Sequence, residues 1–414
     1  MKYIVHKLFS IVFLWLLALP AAFAQQKQEA VYLTLKNVNI VDVEKGKLDT
    51  GMTILIKNDR ITAIFPAKKN KTRGKVIDLQ HRFIIPGLVD SHVHLSSIGG
   101  SSIERSYQYL DYLLRHGITA IRDPAANGVI LQKVQQDVNL GIKPGPAIYY
   151  AAFMAGDWYY NRDMNIRKEP YHPWEQCLKP GVNLDSAMKV AKNFGATGVK
   201  LYHSFDAAFL KEIVSAAKRN HLLVWGHAMM YPARPLEVVK AGVEVISHAS
   251  MLSALINDPK MNYRKVPQAY KDSVGASIDV RELAEEMKKR NVILDATLSV
   301  LEVKEQWIFE IVKKLHRLGV KISAGTDKIT VLSNPYPHLL DELNYFVNDC
   351  GFSPADALAA ATIIAAETIG QEQNIGSIKV GKKADFVVIK DNPLNDINRL
   401  KDQYMVIKHG KVVE

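Results

Sequence analysis

The amino-acid sequence predicts an α/β protein, a (β/α)₈ TIM barrel with a small β-sandwich domain assembled from both termini. The middle of the 414-residue chain alternates apolar, strand-like runs with helical stretches, a pattern typical of parallel βαβ units. Eight such runs make a closed barrel the simplest architecture. The two ends of the chain instead contain short strand-like runs separated by turn signals, which indicates a β-rich second layer.

The N-terminal segment has the layout of a secretory signal peptide. Lys2 and Lys7 give a basic start, an apolar stretch covers 8–19, and a small-residue cleavage motif, Ala-Phe-Ala, ends at Ala24. An uncleaved membrane anchor is the alternative, but the apolar stretch is short for a spanning helix. We therefore expect cleavage after Ala24, no stable membrane insertion afterwards, and a mature protein that is periplasmic or secreted.

The domain boundaries follow from these patterns. We predict a signal peptide at 1–24, a composite sandwich from 25–82 plus 378–414, and a barrel at 83–377. The eight barrel strands are predicted at 83–89, 118–122, 147–152, 198–202, 222–226, 243–247, 292–296 and 320–324.

Charge and cysteine content narrow the class of partner. The formal net charge is +11, and removing the signal peptide takes away two lysines and no acidic residue, which leaves +9. A basic surface suits anionic substrates or an anionic envelope, but the basic residues are scattered and give nucleic-acid binding no support. Cys177 and Cys350 either form a disulfide or remain free thiols. A homo-oligomer is compatible with the sequence.

Two long interruptions follow predicted barrel strands. The segment 156–181 follows the third strand and is rich in Trp and Tyr, and 254–278 follows the sixth strand. Both segments are expected at the C-terminal face of the barrel, where barrel enzymes build their active sites. They are interpreted as substrate walls or lids, or alternatively as segments that pack on the barrel or on a second subunit.

Side chains of metal-ligand type lie at or just beyond the ends of five predicted strands. They are His92 and His94 after strand one, Lys200 in strand four, His227 after strand five, His248 after strand six, and Asp327 after strand eight. Because the carboxyl ends of parallel barrel strands meet at one face, the sequence predicts a metal site there.

Each of these residues taken singly is a weak signal. His92 and His94 are two apart, so in extended backbone both rings point to one side and can bind one metal. A lone histidine is more often a structural one, and Asp327 could simply cap the following helix. Lys200 is either a surface residue at a strand end or a lysine whose amine carries CO₂ as a carbamate, an anion able to bridge two metals.

Together, the motifs resemble the amidohydrolase superfamily, specifically its imidazolonepropionase-like and metal-dependent prolidase-like branch. The matching motifs are Ile-Pro-Gly-Leu-Val-Asp-Ser-His-Val-His at 85–94, Gly-Val-Lys at 198–200, Gly-His-Ala at 226–228, Ile-Ser-His at 246–248, Gly-Thr-Asp at 325–327, and Gly-Ser-Ile-Lys-Val-Gly-Lys-Lys-Ala-Asp at 376–385. The resemblance covers nearly the whole mature chain.

The resemblance implies a site with two divalent metal ions, zinc being the usual metal in similar proteins. It assigns His92, His94 and Asp327 to the first metal, His227 and His248 to the second, and carboxylated Lys200 and a hydroxide to the bridge between them. Two positions depart from many relatives. Met229 replaces a second histidine after strand five, and the strand-six motif reads Ser-His-Ala at 247–249 rather than Glu-His-Gly.

The expected activity is hydrolysis of an amide or peptide-like C–N bond in a dipeptide or N-acyl amino acid, as in a dipeptidase or prolidase. Asp327 is the expected proton acceptor for the attacking water. Tyr202, His203 and Tyr231 are candidates for polarising the carbonyl or holding a substrate carboxylate, and equally for packing. The alternatives are an ester, lactone or organophosphate hydrolase using the same metals, and a non-catalytic binding scaffold.

Overall fold

A computed structural model of the protein describes residues 30–95, 102–166, 171–255, 267–301, 304–328 and 331–414. Residues Tyr32–Glu414 form one compact unit. The predicted signal peptide and its cleavage site lie outside the described residues. Within the described ranges no helix is both long enough and apolar enough to cross a membrane.

The strands of the described residues are, in chain order, β1 (Tyr32–Asp42), β2 (Lys47–Lys57), β3 (Arg60–Pro66), β4 (Lys75–Asp78), β5 (Phe83–Pro86), β6 (Leu88–Asp90), β7 (Ile118–Asp123), β8 (Ala147–Ala155), β9 (Gln176–Cys177), β10 (Gly198–Leu201), β11 (Leu223–His227), β12 (Val245–Ser247), β13 (Ile293–Asp295), β14 (Ile322–Ser323), β15 (Phe386–Ile389), β16 (Gln403–Lys408) and β17 (Lys411–Val412).

The α-helices are α1 (Ile103–Arg115), α2 (Gly128–Asn139), α3 (Asp157–Ile166), α4 (Leu184–Asn193), α5 (Ala207–Arg219), α6 (Pro235–Ala241), α7 (Gln268–Ser277), α8 (Arg281–Arg290), α9 (Gln306–Arg317), α10 (Leu339–Asn348), α11 (Pro354–Ala360) and α12 (Ile363–Glu367). Short 3₁₀ helices occur at Ala67–Lys69, Ala249–Leu255, Leu298–Val300 and Ile397–Lys401.

The central sheet is a curled parallel sheet with the strand order β14-β13-β12-β11-β10-β8-β7-β6. Its first and last strands are joined where Ser91 N donates to Ala324 O at 3.0 Å. Each of the eight predicted barrel strands overlaps one of these strands, and helices follow most of them. The mixed α/β, TIM-barrel-like fold predicted from the alternating pattern is therefore confirmed.

The first predicted strand, 83–89, is two strands rather than one. β5 belongs to the terminal sheet, whereas β6 is the first strand of the barrel. The chain changes sheets at Gly87, where a Cβ atom would lie 2.2 Å from Thr119 Oγ1. The sequence did not reveal this break because both halves are buried and the apolar run is continuous, so only the close approach at Gly87 marks the boundary.

The terminal sheet combines strands from both ends of the chain, as predicted. Its order is β17-β16-β15-β5-β1-β2-β3, and β4 also pairs with β1. It has a hydrophobic cluster of its own, in which Leu35, Ile54, Ile84, Phe386 and Ile407 are buried. Its status as a separate sandwich domain, and the boundaries 25–82 plus 378–414, stay predictions.

The helices around the barrel are amphipathic, as α5 illustrates. α5 begins at a cap in which Asp206 Oδ1 accepts from Phe209 N at 2.8 Å. Its apolar positions Leu210, Ile213 and Ala217 recur at helical spacing and are fully buried. Burying one side of each such helix against the strands leaves the strand ends free to carry polar side chains.

Candidate metal centre

The six residues singled out by sequence lie at one end of the barrel. His92 and His94 follow β6, Lys200 is in β10, and His227 is the last residue of β11. His248 comes directly after β12, and Asp327 follows β14. All six therefore lie at the carboxyl ends of parallel strands, where side chains from distant parts of the chain converge.

Asp327 is the centre of this group. Its Oδ1 lies 2.9 Å from His94 Nε2 and 3.4 Å from His92 Nε2, and its Oδ2 lies 3.5 Å from His248 Nδ1. Potential ligand atoms of His92, His248 and Asp327 all lie within 4.8 Å of one another. The His227 ring centroid is 5.0 Å from that of His248, so the fourth histidine borders the same space.

Lys200 points into the barrel and not outward from a frayed strand end. The residue is 1% exposed, and its Nζ donates a hydrogen bond to Ser247 Oγ at 2.9 Å. Burial, assisted by the charge of Arg122, lowers the pKa of Lys200 to about 7. The surface alternative for this lysine is therefore excluded by its position.

The other titratable groups respond to the same burial. Burial, reinforced by the charge of Lys200, lowers the pKa of His92, His227 and His248 well below that of free histidine. Burial opposes ionisation of Asp327, but His92 and the hydrogen-bonded His94 outweigh it and lower its pKa. The site thus favours neutral imidazoles at His92, His227 and His248 and a carboxylate at Asp327, the forms in which these side chains bind metal. At His94, burial is outweighed by the hydrogen bond to Asp327, which raises the pKa of this histidine.

Asp295, at the end of β13, is a residue that the sequence analysis missed. Its Oδ2 accepts hydrogen bonds from His92 Nδ1 at 2.5 Å, Arg122 Nη2 at 2.6 Å and Ser247 Oγ at 2.9 Å. Through Ser247 it is linked to Lys200. The search for polar side chains at strand ends could have found it, because Asp295 is the last residue but one of the predicted seventh strand, 292–296.

Hydrogen bonds on the far side of the rings orient two of the histidines. His92 Nδ1 contacts the Asp295 carboxylate, and His94 Nδ1 lies 3.0 Å from Ala125 O. Since carboxylate and carbonyl oxygens only accept, each Nδ1 carries the hydrogen when the ring is neutral, which leaves each Nε2 available to bind a metal on the Asp327 side.

This donor set fits a divalent cation. The His92 Nε2 lone pair and the Asp327 carboxylate face each other, and both are electron-rich, so they repel. A cation bound between them would remove this repulsion. Imidazole nitrogens combined with a carboxylate oxygen form a ligand set that zinc accepts. The chemistry of the donors therefore supports a metal-binding group at this position.

The backbone at the barrel mouth is strained at four non-glycine residues. Ser204, His248, Thr297 and Asp327 have φ angles of 71°, 75°, 51° and 50°, in the left-handed region. Such conformations persist where surrounding structure enforces them, and they concentrate at functional sites. Here, His248 N donates to Asp295 O at 2.9 Å and Asp327 N to His92 O at 2.7 Å, which holds the two strained residues in place.

The aromatic residues considered in the sequence analysis lie beside the histidines. The Tyr202 ring centroid is 4.5 Å from that of His227. The His203 ring lies 6.0 Å from the Tyr231 ring and 5.4 Å from the Trp158 ring. Of the segment 156–181, residues 167–170 lie outside the described ranges, as do 256–266 of the segment 254–278.

The two cysteines do not pair with each other. Cys350 is buried and Cys177 is half-buried, and both are free thiols. Of the two possibilities that the sequence left open, the described structure contains the free-thiol form.

Comparisons with known proteins agree with the geometry. Residues 83–413 match the family model described as the amidohydrolase family. The chain is similar to ochratoxinase of Aspergillus niger, with 24% identity over 470 residues that cover 95% of this chain and 90% of that protein. It is also similar to a 5-methylthioadenosine/S-adenosylhomocysteine deaminase of Caldanaerobacter subterraneus subsp. tengcongensis, with 26% identity over 423 residues and 92% of each protein covered.

Solved structures with the same fold include a Xaa-Pro dipeptidase with bound methionine in the active site. It has a TM-score of 0.73 and 20% identity, and the match covers 92% of this chain and 100% of that one. The A. niger ochratoxinase structure has a TM-score of 0.72 and 21% identity over 93% of this chain and 96% of that one. The family match spans most of the chain, and the protein therefore belongs to the amidohydrolase family.

Proposed function

We propose that the protein is an exported, binuclear metal-dependent hydrolase that cleaves an amide or peptide-like C–N bond in a dipeptide or N-acyl amino acid. The observation that carries the proposal is the convergence of four histidines, Asp327 and an inward-facing, buried Lys200 at one barrel mouth. Relatives named Xaa-Pro dipeptidase and ochratoxinase support a hydrolase rather than a binding scaffold.

We assign His92, His94 and Asp327 to one metal position, and His227 and His248 to the other. Lys200 is proposed to bridge the two as a carbamate, because its amine is buried and its hydrogen-bond partner is the neutral Ser247 hydroxyl. A buried ammonium beside two divalent cations would be strongly unfavourable, whereas a carbamate supplies the anion that such a site needs. Zinc is the proposed metal.

When bound, two divalent ions would supply Lewis acidity that lowers the pKa of water and polarises a carbonyl oxygen. The remaining steps belong to the protein. Asp327, 17% exposed at the mouth, accepts the proton of the attacking water and then delivers it to the leaving amine. Asp295 keeps the Nδ1 hydrogen on His92, and Ser247 holds Lys200 in its inward rotamer.

The test compares Lys200→Ala with Lys211→Ala, which removes an exposed lysine from α5. Metal content by mass spectrometry and turnover of a panel of dipeptides, N-acyl amino acids and esters are measured for both variants. We expect about two zinc ions in the wild type and in Lys211→Ala. Lys200→Ala should lose metal and activity, with partial rescue by small carboxylic acids. Full activity of Lys200→Ala would refute the binuclear proposal, and ester turnover without amide turnover would favour the esterase alternative.

Asp327→Asn separates proton transfer from metal binding. We expect this variant to keep most of its metal while turnover falls by about 10²- to 10⁴-fold, the range for loss of a general base. Unchanged turnover would assign the base to another residue. Export is tested separately by N-terminal sequencing of the protein from the periplasm or medium, where Gln25 is the expected first residue.

A further inference from the structure

Three segments at the barrel mouth, the start of α3 and the loops after β10 and β11, carry a continuous row of aromatic rings. We define the aromatic row as Trp158, Tyr159, Tyr202, His203 and Tyr231. Successive ring centroids are 5.6 Å apart for Tyr202 and Tyr159, 5.8 Å for Tyr159 and His203, and 5.4 Å for His203 and Trp158. On its other side, His203 lies 6.0 Å from Tyr231 with the ring planes 25° apart.

The aromatic row begins at the candidate metal centre. The Tyr202 ring is 4.5 Å from the ring of His227, a proposed metal ligand. From there the row leads outward to two exposed rings, Trp158 at 59% and Tyr231 at 48%. A substrate could therefore place one group on this row while its scissile bond lies at the candidate metal centre.

Backbone hydrogen bonds join the three segments to one another. Gly156 N donates to His203 O at 2.8 Å, which fixes the start of α3 against the loop after β10. Ser204 N donates to Met230 O at 2.7 Å, which fixes that loop against the loop after β11. The approach is so close that a Cβ on Gly156 would lie 2.1 Å from Ser204 O. These backbone contacts hold the rings in fixed positions relative to one another.

A contiguous patch of exposed tryptophan and tyrosine beside a candidate active site is typical of a ligand-binding surface. Aromatic rings attract other planar rings at centroid separations of 4.5–7 Å, in stacked or edge-to-face geometry. The Arg162 guanidinium lies 5.5 Å from the Trp158 centroid, which makes this ring a partner in a cation–π contact as well. The row therefore suits a flat aromatic group better than a branched aliphatic one.

We propose that the aromatic row is a substrate subsite that binds a planar aromatic group, so that the hydrolase prefers amides with an aromatic side chain next to the scissile bond. This inference rests on the proposed hydrolase function, because the row is a substrate subsite only if the metal centre it adjoins acts on an amide. Trp158 and Tyr231 are its specificity-determining residues.

The first experiment measures binding without turnover. Trp158 is the exposed tryptophan of the described residues, since Trp174, Trp225 and Trp307 are at most 2% exposed. Iodide quenching of tryptophan fluorescence in the metal-loaded enzyme therefore reports on Trp158. L-phenylalanine should protect it, whereas cyclohexyl-L-alanine, which is apolar but not planar, and L-alanine should protect it much less. Equal protection by all three amino acids, or by none, would overturn the subsite.

The second experiment measures preference among substrates. N-acetyl-L-phenylalanine and phenylacetyl-L-alanine carry the ring on opposite sides of the amide, and N-acetyl-L-alanine carries none. We expect kcat/KM to be at least about tenfold higher for one of the aromatic amides, a factor that corresponds to one or two ring contacts. Trp158→Ala and Tyr231→Ala should each remove most of this preference, whereas Trp158→Phe should retain it.

Tyr404→Ala is the matched control, because Tyr404 is 46% exposed but lies in β16 of the terminal sheet. It should alter neither measurement. Amide hydrolysis with equal kcat/KM for aromatic and aliphatic substrates would refute the subsite and leave the proposed function standing. Protection of Trp158 by L-phenylalanine without any amide turnover would refute the hydrolase and leave aromatic binding standing.

Discussion

Arg122 and Asp295 form an ion pair that is completely buried beneath the candidate metal centre. Arg122 Nη2 lies 2.6 Å from Asp295 Oδ2, and both side chains are 0% exposed. Removing one member of a buried pair leaves the other charge without a counter-ion, which typically costs about 3–5 kcal/mol of folding free energy. The pair therefore offers a direct test of how the structure beneath the site is stabilised.

We predict that Asp295→Asn and Arg122→Met each destabilise the protein by about 3–5 kcal/mol. The double variant leaves neither charge of the pair, so its loss should be smaller than the sum of the two single losses by about 3 kcal/mol. Asp295→Asn preserves the shape of the side chain, so a cavity does not contribute. Because a folded domain is stable by only about 5–15 kcal/mol, each single variant should unfold at a much lower urea concentration.

The assay is urea unfolding of all four proteins, followed by tryptophan fluorescence and circular dichroism. A chelator is present throughout, so that differences in metal binding do not add to stability. The control is the same cycle on Arg281 and Asp279, whose nitrogen and oxygen are also 2.6 Å apart but whose side chains are 75% and 56% exposed. That cycle should give a coupling energy below about 1 kcal/mol. Additive losses at Arg122 and Asp295, within about 0.5 kcal/mol, would refute the reasoning.

Substitutions at three further positions test the site, the core and a helix cap. Gly325→Ala places a Cβ 2.2 Å from Asp295 Oδ1 and 2.7 Å from His92 Cβ. This variant should therefore bind less zinc and lose about 1–3 kcal/mol of folding free energy. Normal zinc content would contradict the packing described at the site. Phe346→Ala empties a fully buried position and should cost about 3–5 kcal/mol in urea unfolding, and a loss below about 1 kcal/mol would mean that the site collapses around the change. Ser353→Ala removes the N-cap of α11 and should lower the free energy of unfolding by about 1 kcal/mol, whereas Ser353→Asp should restore the cap. Equal stability of the two variants would argue against capping.

The positional rule applied to the sequence was productive because barrel geometry is repetitive. Apolar runs marked the strands, and polar side chains at their ends marked the mouth, which is how His248 and Asp327 were singled out. From the sequence, Lys200 was compatible with both a surface and an interior position. Since a strand alternates its side chains between two faces, only the closed sheet shows that this side chain points inward.

The position of Arg122 beneath the site could not be predicted from the sequence, for a related reason. Arg122 lies within the predicted second strand, and an arginine there suggests an exposed face unless a partner is known. Its partner is 173 residues away along the chain and meets it only across the barrel interior. The aromatic row has the same character, because its members follow three different strands and become neighbours through backbone contacts between loops.

The sequence alone determined three features of the protein. They are its family resemblance, its alternation of strands and helices, and the identity of six residues at strand ends. These features are local, since each is written in a short run of residues. The tertiary structure decided which way Lys200 points, where the run at 83–89 passes from one sheet to the other at Gly87, and which carboxylate supports His92. Those features depend on through-space distances between segments far apart in the chain, and packing sets such distances only when the barrel closes.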